Sequence, residues 1–169
     1  MGQSSRDDRA LYIYRWRIGG GGEFLRWEIA TGQETLLEKY VPESFIWVSL
    51  NERWLIRAVK QNVEIRPTSG GDWKSLVSRS LREWDHEASI TPDGKWLLYY
   101  DADSSGKRPL FRVATAGCAP ERLGDFPTNT TSDMEISPDG TKIVAAAADD
   151  ATGYELWSLE NFVPPAPKR

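Results

Sequence analysis

The sequence predicts an all-β fold in which four-stranded antiparallel sheets follow one another along the chain. Three observations carry this. A unit of about 44 residues repeats; the second strand of each unit is apolar almost without a break; and Gly or Pro punctuates the chain every 8 to 12 residues, with no sustained helical period. The repeat is plainest in Ile90-Thr91-Pro92-Asp93-Gly94-Lys95-Trp96 and Ile136-Ser137-Pro138-Asp139-Gly140-Thr141-Lys142. Weaker copies are Val48-Ser49-Leu50-Asn51-Glu52-Arg53-Trp54 and, opening inside its turn, Ser5-Arg6-Asp7-Asp8-Arg9-Ala10. The Ser or Thr markers at 5, 49, 91 and 137 stand 44, 42 and 46 residues apart. A second landmark follows the first three: Ile29-Ala30-Thr31-Gly32, Pro67-Thr68-Ser69-Gly70 and Val113-Ala114-Thr115-Ala116-Gly117.

Taken in order, the units span approximately 1–40, 41–80, 81–126 and 127–163, and a Pro-rich, disordered tail is expected over 164–169. The first unit is expected to lack its first strand. Its second and third strands flank the run Gly19 to Gly22, which reads as a hairpin loop. The second unit reads as strands Phe45 to Ser49, Trp54 to Lys60, Val63 to Arg66 and Trp73 to Ser78. The third reads as Ala88 to Thr91, Trp96 to Asp101, Leu110 to Ala114 and Glu121 to Leu123. The fourth lacks a fourth strand, so 14 strands are expected in all. In the Ser-Pro-Asp-Gly turns, Pro presets φ and Gly takes the left-handed position. Asp8 and Glu52 stand in that Gly position. Asp tolerates the conformation; for Glu52 it costs about 1 kcal/mol, so Glu52→Gly is expected to stabilise the fold.

Runs such as Trp96-Leu97-Leu98-Tyr99-Tyr100 and Ile143-Val144-Ala145-Ala146-Ala147 belong to sheets covered on both faces, since a sheet with one wet face would alternate. Four-stranded sheets at this period, each lying between its neighbours, describe a β-propeller-type array, here incomplete at about 3.5 blades. The Ser/Thr-Pro-Asp-Gly turn, the apolar strand after it and the Ala-Thr-x-Gly turn resemble the WD40-like repeat of TolB-type propellers, and also the propeller domain of prolyl-oligopeptidase-type serine peptidases. The resemblance covers Ser5 to about Phe162. It implies a ring of six to eight blades in the family, more than this sequence supplies, so a larger parent protein or a second copy completing the ring is expected. Trp84-Asp85 precedes a first strand, where a true WD40 signature does not fall.

A fold does not set a function, and the chemistry must come from particular residues. A serine peptidase needs a Gly-x-Ser-x-Gly elbow and a His partner; the pentapeptide is absent and His86 is the sole His. Hydrolysis by this chain is therefore not expected. One Cys, Cys118, excludes an intrachain disulfide, and with one His it excludes a zinc site of Cys and His alone. The glycines Gly19 to Gly22 lead into a strand, not into the helix that a phosphate cradle requires. Asp101 to Gly106 imitates the start of a calcium loop, but its twelfth position is Arg112 where a bidentate Glu belongs. No cofactor and no metal is expected.

The remaining candidates are loops that lead into first strands, innermost in a propeller: Glu43 before the second sheet, Asp85 and His86 before the third, Asp133 before the fourth. Such loops ring the mouth of the central channel, and a His between two carboxylates has its pKa raised. The expected function is a non-catalytic binding module that takes a protein or peptide partner there; the substrate-gating propeller of a peptidase is the alternative. With 21 basic against 25 acidic residues and a net charge of −4, no nucleic-acid groove is expected. No apolar run approaches a membrane span and the first ten residues are polar, so a cytoplasmic location is the default expectation, and a periplasmic or extracellular one if a larger parent protein carries a signal. The recurrence of Trp54 and Trp96 at one repeat position points to packing.

Overall fold

The computed structural model describes residues 2–16, 21–39, 44–78, 88–101, 108–126, 130–149 and 153–160. They form fifteen strands and, among the described residues, no helix. Sheet 1 holds β1 (Gly2–Ser4), β2 (Ala10–Trp16), β3 (Gly22–Glu28) and β4 (Glu34–Lys39). Sheet 2 holds β5 (Ser44–Val48), β6 (Trp54–Val59), β7 (Asn62–Pro67) and β8 (Lys74–Ser78). Sheet 3 holds β9 (Ala88–Ile90), β10 (Trp96–Tyr100), β11 (Arg108–Ala114) and β12 (Glu121–Phe126). Sheet 4 holds β13 (Thr130–Ile136), β14 (Lys142–Asp149) and β15 (Gly153–Glu160). Every sheet is an antiparallel meander in chain order. Sheets 1 and 2 make one compact unit, Met1–Ser78, and sheets 3 and 4 a second, Arg79–Arg169.

The expectation of a missing first strand is corrected by β1, whose Gly2, Gln3 and Ser4 pair with Ile13, Tyr12 and Leu11. The segment is short and polar, so no apolar pattern announces it. Gln3 ties it to sheet 2: its side-chain amide donates to the Val48 carbonyl at 3.1 Å and accepts from the Val48 N–H at 3.3 Å, imitating a strand ladder.

The four Ser/Thr turns share one construction. The marker hydroxyl donates to the Asp or Asn two residues on: Ser5 to Asp7 at 2.8 Å, Ser49 to Asn51 at 2.8 Å, Thr91 to Asp93 at 2.6 Å and Ser137 to Asp139 at 2.5 Å. That same acceptor takes the N–H of Arg9, Arg53, Lys95 or Thr141. The marker oxygen also accepts the N–H of Ala10, Trp54, Trp96 or Lys142. Asp8, Glu52, Gly94 and Gly140 take the left-handed position, at φ 56°, 57°, 77° and 72°. The turn register read from the sequence is therefore the one that forms, with Asp and Glu adopting what Gly does elsewhere.

The second landmark recurs because it docks on the first. Thr115 donates its hydroxyl to the Gly94 carbonyl at 2.9 Å and its N–H to the Lys95 carbonyl at 2.9 Å. Thr68 does the same to Glu52 at 2.8 Å and Arg53 at 3.0 Å. In sheet 1 the backbone bond goes from Ile29 to Arg9, at 2.9 Å. Ile29, and not Thr31, is thus the equivalent of the two threonines, because the first copy's turn is one residue longer, with Gly32 N–H bonded to the Glu28 carbonyl. Ile29 is half exposed and offers no hydroxyl. Ile29→Thr is expected to raise stability by about 0.5–1 kcal/mol, the usual net yield of one added hydrogen bond, read as a rise in the urea midpoint at unchanged slope.

In the first unit the core lies between the two sheets, with Tyr12 and Phe24 of sheet 1 against Ile46, Val48 and Leu55 of sheet 2. The Tyr14 hydroxyl both donates to the Ile46 carbonyl and accepts the Ile46 N–H. In the second unit the buried residues include Ile90, Leu97, Leu98, Tyr100 and Leu110 of sheet 3 and Met134, Ile136 and Ile143 of sheet 4. There Tyr100 meets Phe126 edge-on at 5.7 Å. A Cβ added at Gly140 would lie 3.4 Å from the Pro92 ring, so the two Pro-Asp-Gly turns of this unit sit side by side.

Candidate functional site

The residues expected to bind a partner attach to the starts of first strands. Glu43, Asp85 and His86 lie outside the described residues, as do most of the possible calcium loop and Gly19 and Gly20 of the glycine run. What the structure places is the framework that carries them. Ser44, which follows Glu43, opens β5, is buried, and pairs with Val59. Ala88, two residues after His86, opens β9, is buried, and pairs with Tyr99.

Asp133 lies within β13, where the ladder to β14 is irregular. Thr130 pairs with Ala147 and Met134 with Ala145, so four residues of β13 advance against two of β14. Asp133 therefore sits in a bulge, a device that re-aims side chains at sheet margins and next to binding sites. Within the second unit β13 neighbours β9, the strand into which Asp85 and His86 lead. The acidic positions of sheets 3 and 4 thus belong to adjacent first strands.

Two further constellations carry no strong sequence signal. The first joins sheets 1 and 2. Arg57 and Arg66 stack on the Trp73 ring, their guanidinium carbons 4.1 and 5.0 Å from its centroid. The indole N–H donates to Glu38 at 2.8 Å, Arg66 pairs with Glu38 at 3.3 Å and bonds the Leu37 carbonyl, and Arg57 pairs with Glu64. Two cations and two carboxylates around one indole make a neutral brace, suited to holding sheets together. Only the Trp was visible as unusual; its partners come from three different strands, and no local pattern links them.

The second is Glu52, whose carboxylate accepts the Arg6 N–H and, at 2.9 Å, the Tyr12 hydroxyl. Burial, and then the hydrogen bond to Glu52, push the Tyr12 hydroxyl up to about 12, so it keeps its proton and donates. Glu52 is thus a contact between sheets as well as a turn residue.

The turn carboxylates are held below the ordinary range. The Ser137 hydroxyl and the N–H and hydroxyl of Thr141 bring Asp139 down to about 2, and the Ser5 hydroxyl and Arg9 N–H lower Asp7. Burial raises Asp93, but the Thr91 hydroxyl and Lys95 N–H outweigh it and the net shift is downward. A carboxylate lowered in the folded state stabilises it above the unfolded pKa of 3.8 and ceases to do so as pH falls toward the folded value. Stability is therefore expected to fall between about pH 4 and pH 2, and Asp139→Asn to flatten that fall, as Asn51 already does in its turn; thermal melts across this window check it.

Among the described residues no three of His, Cys, Asp and Glu gather as metal ligands, and no helix is long and apolar enough to cross a membrane. No family model and no curated protein matches the chain. Solved structures do. TolB from Acinetobacter baumannii superposes with a TM-score of 0.69 at 17% identity, over 94% of this chain and 40% of that one. A putative TolB from Agrobacterium tumefaciens gives 0.69 at 17% identity, over 95% and 61%. A prolyl endopeptidase gives 0.68 at 13% identity, over 98% and 27%. The chain spans less than two-thirds of the length of each. At these identities the likeness shows the fold, and that fold is an incomplete, TolB-like β-propeller.

Proposed function

We propose that the chain is a non-catalytic binding module that takes a protein or peptide segment at Glu43, Asp85, His86 and Asp133. The observation that carries this reading is the bulge at Asp133 in β13, beside the strand into which Asp85 and His86 lead. Loops and bulges on a rigid sheet framework are where binding residues concentrate. Three carboxylates and one His favour a segment bearing Lys or Arg, which gains opposite charge in each contact. One structure of the same fold type comes from a nidogen/laminin complex, at a TM-score of 0.60.

The test is to pan a displayed random-peptide library on the immobilised chain and measure the selected peptides by fluorescence anisotropy. Enrichment of basic peptides is expected, with binding lost in the quadruple alanine variant and kept in an Arg53→Ala control on the opposite sheet end. Equal binding by the quadruple variant would remove the site assignment. The likeness to prolyl endopeptidase favours a second reading, the substrate-gating propeller of a peptidase whose catalytic part lies elsewhere. A neighbouring reading frame with a Gly-x-Ser-x-Gly elbow would turn the choice toward it.

A further inference from the structure

Among the described residues the most exposed large apolar side chain is Trp16, at 62%. It closes β2, opposite Gly22. Packing of the repeat does not ask for it: the equivalent positions of the other units, counted from the marker Ser or Thr, are Lys60, Ala102 and Ala148. Trp54 and Trp96, by contrast, recur at one repeat position and are partly buried.

The indole is backed by an aromatic column that strand alternation places on one face of sheet 1. Tyr12 lies 6.4 Å from Phe24, Phe24 lies 4.9 Å from Tyr14, and Tyr14 stacks on Trp16 at 6.0 Å with the ring planes 15° apart. Tyr12 and Phe24 belong to the core between sheets 1 and 2, and Tyr14 is fixed by its two bonds to the Ile46 backbone. The same bonds give the level of Trp16 against sheet 2. Gln3, which pairs with Tyr12, bonds Val48; two residues further along β2, Tyr14 bonds Ile46, two residues nearer the start of β5. One more step of two brings Trp16 to the level of Ser44, where β5 opens directly after Glu43.

Resting on the reading of Glu43, Asp85, His86 and Asp133 as the contact for a basic segment, we infer that Trp16 is the aromatic anchor of that contact and that its ring takes the guanidinium of an arginine in the bound segment. Carboxylates attract either cation alike, so the indole supplies the discrimination: a planar guanidinium stacks on a ring face better than a compact, strongly hydrated ammonium. The chain already uses this pairing internally. Arg57 and Arg66 lie on Trp73 at 4.1 and 5.0 Å, and Arg112 lies on Trp96 at 4.7 Å. At Trp73 and Trp96 the arginine comes from the fold, whereas at Trp16 an exposed ring stands at the level of the candidate contact. A ring held by a packed column gives up little conformational freedom on binding, which suits an anchor.

Titration of the full chain with hexa-arginine and hexalysine peptides at physiological ionic strength tests this, read by the indole N–H resonances in a proton–nitrogen correlation spectrum. The resonance absent from Trp16→Phe belongs to Trp16; it is expected to shift progressively with hexa-arginine, and hexalysine, of equal charge, to bind about fivefold more weakly. Trp16→Leu, which keeps an apolar side chain and the circular dichroism of the wild type, is expected to raise the Kd for hexa-arginine about five- to tenfold and to erase the preference over hexalysine. Trp16→Phe is expected to retain part of that preference. The quadruple alanine variant of the carboxylates and His86 is expected to weaken both peptides while leaving their ratio unchanged. Absence of hexa-arginine binding to the wild type overturns the proposal, as does binding that leaves the Trp16 resonance in place and is equally tight in Trp16→Leu. Wild-type affinity in the quadruple variant with loss in Trp16→Leu removes the carboxylates from the site and leaves Trp16 in it.

Discussion

Trp73→Ala is expected to produce the largest loss of stability of any single substitution in the first unit outside its apolar core, about 2–4 kcal/mol, slightly below the range for a fully buried aromatic because Trp73 is only partly covered. Three separate contributions disappear together. The indole packs against the cluster of Tyr12, Phe24, Ile46, Val48 and Leu55. Its N–H bonds Glu38, and its face holds Arg57 and Arg66. Arg66 is the critical neighbour, since its Nε is buried and already makes no hydrogen bond. Removing the ring leaves that guanidinium with less to stack on. Trp73→Phe separates the contributions: it keeps an aromatic face under the guanidiniums and loses the donor to Glu38. It is expected to cost about 1–2 kcal/mol, near the value of one hydrogen bond to a charged acceptor. Urea unfolding of both variants gives the two numbers. A cost for Trp73→Ala no larger than that for Trp73→Phe would mean that the ring stack contributes nothing.

The fold was legible because its signals are periodic. The marker turns at 5, 49, 91 and 137 specify the same hydrogen bonds four times, and the runs beginning at Trp54 and Trp96 become β6 and β10 almost to the residue. What escaped was whatever does not repeat. Strand β1 is held by the amide of Gln3, a residue with no β propensity to announce it. The true partner of Thr68 and Thr115 in the first unit is Ile29, because an inserted residue shifted the look-alike Thr31 out of place. The brace at Trp73 draws its partners from β4, β6 and β7, which lie between 7 and 36 residues away. Of the candidate site, the sequence supplied the loops, and the structure adds the bulge at Asp133 and the neighbouring of β9 and β13. Single-residue contacts between repeats have no periodic trace, and that is where sequence reasoning stops.

Glu52→Gly brings that limit to an experiment, because backbone reasoning and the structure give opposite signs. At φ 57° a Glu is strained, and glycine relieves about 1 kcal/mol of that. Part of this is returned, since glycine also loosens the unfolded chain. Against it stands the carboxylate, which accepts the Arg6 N–H and the Tyr12 hydroxyl from the neighbouring sheet. Hydrogen bonds to a charged acceptor contribute about 1.5–3 kcal/mol each, and Tyr12 is 3% exposed, so its hydroxyl would be left without an acceptor. The expected result is a net destabilisation of about 1–2 kcal/mol, reversing the sign read from turn chemistry alone. Asp8→Gly is the reference, because Asp8 occupies the same turn position at φ 56° and is exposed, and it is expected to be neutral or stabilising. A third variant, Tyr12→Phe in the Glu52→Gly background, removes the orphaned hydroxyl and is expected to recover part of the loss. If Glu52→Gly instead melts higher than wild type while Asp8→Gly is unchanged, the bond from Tyr12 to Glu52 carries no weight in joining the two sheets. The left-handed strain would then dominate at that turn.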